Sequence, residues 1–442
     1  MLEDMTTRRL FLQKGLTILA LAPTVPTFLD QTVLAMANPE DAARTQQPTG
    51  KDGKILVVVQ LSGGNDGLNT VVPFSNDHYH KARPAIRHEP SKVHKINDDI
   101  ALHPNLTPLK ELYDDGRLSI IQGVGYPNPN RSHFRAMDIW HSGADKDVVT
   151  TGWLGKYFDN TCAGADPHVG VAIGETMPLA MKGERILPLN FDRPETYRYN
   201  GKDKEHYLQL NKIPDGAVAS ADDKSAAVPT TAPSKLIAPK KKELVTASDQ
   251  LDFLHRTAMD AQLSSDDVLR MTKRHESPVN YPSTQFGNGL RTVAAMIAGG
   301  LPTRVYYVSL GGFDTHAGER GRHDNLMTQL AQGVGAFWKD MKKQGNDDRV
   351  LMMTFSEFGR RVEQNASGGT DHGAAAPMFV MGPKLKTGVV GNHPSLTDLD
   401  AGDLKYNVDF RSVYATVIQN WLQTASKPIL GQQFPLLPIL RA

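Results

Sequence analysis

The chain is poor in the residues that staple or pull a protein from outside its core. It has a single cysteine, Cys162, among 442 residues, which excludes an intrachain disulfide, a cysteine-ligated iron–sulfur cluster and a paired-cysteine redox site. Charge of one sign is missing too. Lys plus Arg (49) and Asp plus Glu (48) nearly cancel, so no basic face for nucleic acid or anionic lipid is expected. No C-x-x-C-H and no strand-linked G-x-G-x-x-G is present, which removes the common haem and dinucleotide signatures. Stability therefore has to come from burial, for which 40% hydrophobic residues in a chain this long suffice.

Long apolar runs are also missing. The longest stretch near the start, Leu16 to Leu29, is too short and too proline-broken to span a bilayer. It follows Thr7-Arg8-Arg9-Leu10-Phe11-Leu12-Gln13-Lys14 and precedes Ala35-Met36-Ala37. Charge, apolar core and small-residue site in that order predict an export signal, residues 1–37, of twin-arginine type. A linker over 38–53 and a periplasmic or secreted protein without stable membrane insertion are expected, with the twin-arginine translocase as the partner in export.

Short valine- and isoleucine-rich runs dominate the rest. Ile55 to Val59, Leu118 to Ile121, Arg304 to Val308, Val350 to Phe355 and Met378 to Met381 read as buried strands of a parallel sheet. Helical patterns lie between them, at Thr107 to Asp115, His133 to His141, Gly289 to Ala298, His323 to Lys343 and Asp409 to Leu422. Such alternation predicts an α/β fold. One domain over 54–430 is expected, interrupted by a polar Ala/Ser/Pro/Lys insertion at about 201–242 and a helical, cap-like segment at about 244–275.

Polar residues gather at the predicted strand ends, where open α/β sheets bind ligands. Asp66 ends the turn after the first strand. Asp314 and His316, two apart, share one side of an extended backbone and suit Zn²⁺ or a similar ion. Glu357 follows the Val350–Phe355 run, and the arginines beyond it, Arg360 and Arg361, are expected on a helix. Ser132 opens a helical pattern, as an N-cap or as a nucleophile held at a helix N-terminus.

These pieces carry a resemblance. His103-Pro-Asn-Leu-Thr-Pro-Leu, the helix Ser132 to Gly143, and Asp371-His372-Gly373 before Pro377 to Pro383 are similar to motifs of the alkaline phosphatase and sulfatase superfamily. L-S-G-G-N-D-G-L-N, N-R-S-H-F-R, G-G-F-D-T-H, S-E-F-G-R, G-G-T-D-H-G and D-F-R-S-V-Y resemble, within it, the twin-arginine-exported family of unknown function DUF1501. The resemblance implies a three-layer α/β/α sandwich, alkaline-phosphatase-like, with a largely parallel sheet. It also implies a hydrolase of phosphate, and second of sulfate, esters on small or polymer-linked substrates, using one or two divalent metals with zinc first. In that reading Asp314, His316 and His372 hold one metal and Asp66, Glu357 and the Ser132 hydroxyl surround another. Ser132 is the nucleophile and Arg135 steadies the anion.

Two departures weigh against a complete site. Phe358 stands where such enzymes place a second ligand histidine, and the sulfatase signature Cys-x-Pro-x-Arg is absent. The alternative expectation is a binding or assembly protein that keeps the sulfatase-like core with an incomplete metal site.

Overall fold

The computed structural model describes residues 53–144, 149–162, 167–186, 188–195, 197, 265–386 and 388–441. The expected signal, most of the linker, the polar insertion and most of the cap-like segment lie outside these residues.

A nine-stranded sheet organises the chain. In chain order its strands are β1 (Ile55–Ser62), β2 (Leu118–Gly125), β3 (Gly170–Ile173), β4 (Leu189–Phe191), β5 (Val305–Gly311) and β6 (Val350–Phe355). After a hairpin outside the sheet, made by β7 (Arg360–Gln364) and β8 (Thr370–His372), it continues with β9 (Ala376–Met381), β10 (Gly388–Val390) and β11 (Val408–Asp409). The order is β10-β2-β9-β6-β1-β5-β3-β4, with β11 also on β2. Every pairing is parallel except those of β9, which runs antiparallel between β2 and β6. The Met378–Met381 run is thus a strand as expected, but of opposite direction. The largely parallel sheet is borne out.

Side-chain alternation along β1 explains the layers. Ile55, Val57, Val59 and Leu61 enter one core, packed by the helices α1 (Thr107–Asp114), α4 (Gln285–Ala298) and α5 (Glu319–Gln344). Leu56 and Val58 enter the other, packed by α2 (His133–Ser142), α3 (Trp153–Thr161) and α6 (Phe410–Thr416). A sheet buried on both faces reads as continuous apolar runs rather than alternation, which is why β1 carries ILVVV. The three-layer α/β/α sandwich follows. Among the described residues, no helix is long and apolar enough to cross a membrane.

Local chemistry sets the ends of these elements. Thr284 caps α4, its Oγ1 accepting from Gly287 N at 3.0 Å. Gly345 closes α5 with φ +70°, the left-handed cap that favours glycine. β3 and β4, of four and three residues, have too few apolar positions to register as runs, and the sequence reading missed them.

One part of that reading is overturned. Arg360 and Arg361 do not lie on a helix: they begin β7, paired with β8 through Arg360 opposite His372. Gly359 permits this, because a Cβ there would sit 2.1 Å from Ala375 O.

Beneath the β1 tip, α5 opens on a fully buried carboxyl, Glu319, whose Oε2 accepts from Thr370 Oγ1 at 2.5 Å. Burial, and the nearby Asp66 carboxylate, push Glu319 up to about 9, so it is protonated at neutral pH. A carboxyl whose folded pKa is raised adds stability at acid pH that is lost as pH climbs from the ordinary glutamate range through about 9. Glu319→Gln, neutral at every pH, should therefore flatten the fall in thermal midpoint between pH 5 and 9. An unchanged slope in melting curves across that range would assign the pH dependence elsewhere.

Candidate metal centre

The centre is assembled from loops at the carboxyl ends of β1, β5 and β6 and from the start of α2. Asp314 and His316 follow β5, and alternation holds between them: Thr315 is buried while both neighbours are exposed. His372 ends β8. Asp314 Oδ1 lies 3.1 Å from His316 Nε2 and 3.1 Å from His372 Nε2, and these two nitrogens are 2.9 Å apart.

The outer nitrogens decide what that triangle is. His372 Nδ1 lies 2.8 Å from Arg131 O, a carbonyl that can only accept, so Nδ1 carries the proton. His316 Nδ1 lies 3.3 Å from Asp371 Oδ1, which likewise only accepts. In their neutral forms both imidazoles then turn an Nε2 lone pair toward each other and toward a carboxylate oxygen. Such a cluster is held together by a shared proton or by a cation, and backing of ligand histidines by carbonyl and carboxylate oxygens is the usual second layer of a metal site. The donor set fits a divalent metal.

His133 completes the cluster, and the sequence reading missed it. Its Nδ1 lies 2.9 Å from Glu357 Oε1 and its Nε2 lies 3.4 Å from Asp314 Oδ1, buried and without a hydrogen-bond partner. With Nδ1 donating to Glu357, the neutral ring too would turn a lone pair toward Asp314. The signal available was its place beside Ser132 on the resembling helix, where attention to a hydroxyl passed over an imidazole.

Glu357 is thereby one step behind the donors. Its Oε1 accepts from His133 Nδ1 and from Gly63 N at 2.8 Å, and Oε2 accepts from Ser356 Oγ at 3.2 Å. Phe358 packs its ring 4.6 Å from that of His372 and 4.8 Å from that of His133, an apolar wall on the cluster.

Asp66 stands apart. Its carboxylate is fully buried, Oδ1 accepting from Leu68 N at 3.2 Å as the cap of a short helix, Gly67–Thr70, and Oδ2 from Arg83 Nη1 at 2.5 Å. Burial alone would raise its pKa; the Arg83 guanidinium overrides this and holds it well below the usual carboxylate range. The structure gives Asp66 an arginine partner and places it outside the cluster of His133, Asp314, His316 and His372.

Asp314 is held similarly. Against burial, which raises it, the hydrogen bond from Arg360 (Nη2 to Oδ1, 2.8 Å) and the charge of that guanidinium hold it far below the ordinary range. Arg360 is fully buried and also donates to Gly64 O, Gly63 O, Phe313 O and Thr370 O. Ser132 occupies the N-cap position of α2, yet its hydroxyl makes no capping bond. Its backbone N–H donates instead to Asn130 Oδ1 at 2.8 Å. Arg135 stands half-buried on the first turn of α2.

A second group, His88, His103 and Asp324, lies against the start of α5. Here the outer nitrogen argues the other way. His103 Nδ1 accepts from Asn105 N at 3.0 Å, so its proton sits on Nε2 and is donated to Asp324 Oδ1 at 2.8 Å. That nitrogen offers a metal no lone pair.

Residues 53–425 match the family described as "Protein of unknown function (DUF1501)". The chain belongs to that family. No curated protein matches it. Among solved structures, it is similar to the lipoteichoic acid synthase LtaP from Listeria monocytogenes, at 9% identity and TM-score 0.35, covering 83% of this chain and 74% of that one. It is similar to a protein of the alkaline phosphatase superfamily from Vibrio parahaemolyticus, at 8% identity, TM-score 0.35 and coverage of 91% and 76%. A third is the PsFucS1 sulfatase from Pseudoalteromonas sp., at 10% identity, TM-score 0.35 and coverage of 92% and 72%.

Arg360→Leu should cost at least about 3 kcal/mol, because it strands the Asp314 carboxylate and four carbonyl oxygens that share one guanidinium. Urea unfolding of the variant beside wild type measures it; a loss within 1 kcal/mol, on the ordinary scale of surface substitutions, contradicts that role.

Proposed function

We propose that this DUF1501 protein is an exported, metal-dependent hydrolase of phosphate esters, and second of sulfate esters. The observation that carries this reading is the convergence of His316 Nε2 and His372 Nε2 on Asp314 Oδ1, with His133 Nε2 3.4 Å from the same oxygen. A divalent metal held there would polarise an ester oxygen and offset charge on the transferred group.

The chain's own residues supply the rest. Ser132 brings a hydroxyl that is not spent on capping to the N-terminus of α2, where backbone N–H groups and the helix dipole favour an anion. Arg135, one turn on, carries the charge suited to a phosphoryl or sulfuryl oxygen. His133 and Glu357 form an imidazole–carboxylate pair able to accept and hold a proton beside the ester. Phe358 keeps water from one side of the cluster.

A panel of aryl phosphates and sulfates, run on metal-loaded and chelator-stripped protein, tests the proposal. Activity should vanish on stripping and fall roughly 1,000-fold in Ser132→Ala. Turnover that survives both treatments contradicts it.

A second reading is favoured by the Arg83–Asp66 pair and by Phe358: a binding or assembly protein that keeps the sulfatase-like core but not the complete site. Metal-loaded protein inert on every ester of the panel would favour it.

Export by the twin-arginine route is proposed from Arg8-Arg9 and the apolar stretch behind them. Replacing both arginines with lysine should leave the full-length precursor in the cytoplasm of a bacterial host carrying that translocase. Unimpaired delivery to the periplasmic fraction would refute the route.

A further inference from the structure

We infer that Arg131 and Arg361 form a second anion-binding subsite beside the centre, so that the ester this protein takes carries a further negatively charged group on its organic part. The inference rests on the hydrolase reading above for the reacting ester and goes beyond it in naming what the rest of the substrate carries.

Both arginines are placed by neighbours of the centre. Arg131 precedes Ser132, and its carbonyl oxygen accepts from His372 Nδ1 at 2.8 Å. Arg361 follows Arg360 on β7, the strand paired with His372. A Cβ on Gly373, the residue after His372, would lie 2.9 Å from Arg361 N. The two guanidiniums, both partly exposed, meet at the buried Asp403, which opens a short strand, Asp403–Leu404.

Asp403 engages them unequally. Its Oδ2 takes both bonds from Arg131, Nε at 2.7 Å and Nη2 at 2.6 Å. Its Oδ1 accepts no hydrogen bond, and Arg361 Nε, 3.4 Å away, donates none. Arg361 Nη2 reaches Ala401 O at 3.3 Å. Among the described residues, Nη1 of neither arginine has a hydrogen-bond partner. Arg131 alone would satisfy the charge of Asp403, so the second guanidinium leaves one positive charge in excess, with donors unspent. Two further carboxylates that feel this group, Asp371 and Asp400, are exposed, and water screens them. A guanidinium anchored at one edge and open at another is a ready fork for a carboxylate, phosphate or sulfate oxygen pair.

Calorimetry of purified, metal-supplemented protein with ω-phosphonocarboxylates of increasing chain length, each beside its carboxyl methyl ester, tests the subsite. The phosphonate stands in for the phosphoryl group of an ester and is not turned over. At one chain length or more, the free carboxylate should bind at least about 10-fold tighter than its methyl ester. Arg361→Gln should bring that ratio close to one, and Arg361→Lys, which keeps the charge without the fork, should leave part of it. A ratio near one at every length in wild type, or no phosphonate bound at all, would overturn the subsite. A ratio that survives in Arg361→Gln would also overturn it, assigning the carboxylate to a cation of the centre and leaving Arg361 as a clamp on Asp403. The hydrolase reading fails separately: a carboxylate preference lost in Arg361→Gln, in a protein inert on every ester of the panel, would keep the subsite and remove the hydrolase.

Discussion

The geometry of the centre depends on one buried guanidinium. Arg360 reaches from the first residue of β7 to Gly63 O and Gly64 O after β1, to Phe313 O and Asp314 Oδ1 after β5, and to Thr370 O on β8. Three chain segments far apart in sequence are thus referenced to one planar, rigid group. The turn after β1 is shaped to allow it: Gly63 has φ +120°, and a Cβ there would lie 2.5 Å from Asp314 N. Tip touches tip with no side chain between them. Metal donors must be placed within tenths of an ångström to bind well, and strand-tip loops alone do not offer that precision; a shared cation does.

Arg83 plays a parallel part at Asp66, and the two pairs explain how carboxylates can collect here. An isolated carboxylate in so dry a place would take up a proton. Two arginines keep Asp66 and Asp314 ionised, while Glu319, close to the first pair and with no guanidinium of its own, takes the other course and is protonated. Between the two fully buried carboxyls, Asp66 and Glu319, the outcome is decided by which one the arginine touches. Asp314 differs from Asp66 in one respect that matters: it is half open to solvent, so its oxygen can serve an arginine and still face three imidazoles.

Much of the frame was legible because it is written in local runs. β1, β2, β5 and β6 are apolar segments of six to eight residues, and α2 and α5 carry apolar faces. β3 and β4 were not, because parallel strands of three or four residues owe their conformation to their neighbours in the sheet. In the centre, Asp314, His316 and His372 could be named since strand tips concentrate ligands and Asp-x-His sets two side chains on one side. Arg360 was misplaced on a helix because Gly359 reads locally as a break of either kind, and only contact with Ala375 makes it flat. The partners of Asp66 and Glu357 lie 17 and 224 residues away, at Arg83 and His133, and no local pattern encodes such a distance.

Phe358 then takes on a different meaning from the one its place in the sequence suggests. As a missing ligand it speaks against a working site. In the structure its ring lies against His133 and His372, and a Cβ on Gly64 would run into it at 2.3 Å. It fills the space between the β1 turn and the two imidazoles, where an imidazole of its own would need a hydrogen-bond partner or a metal. An apolar ring makes no such demand, and it packs against both imidazoles. Water driven from that side lowers the local dielectric, so the charge of Asp314 and of any ion beside it is felt more strongly.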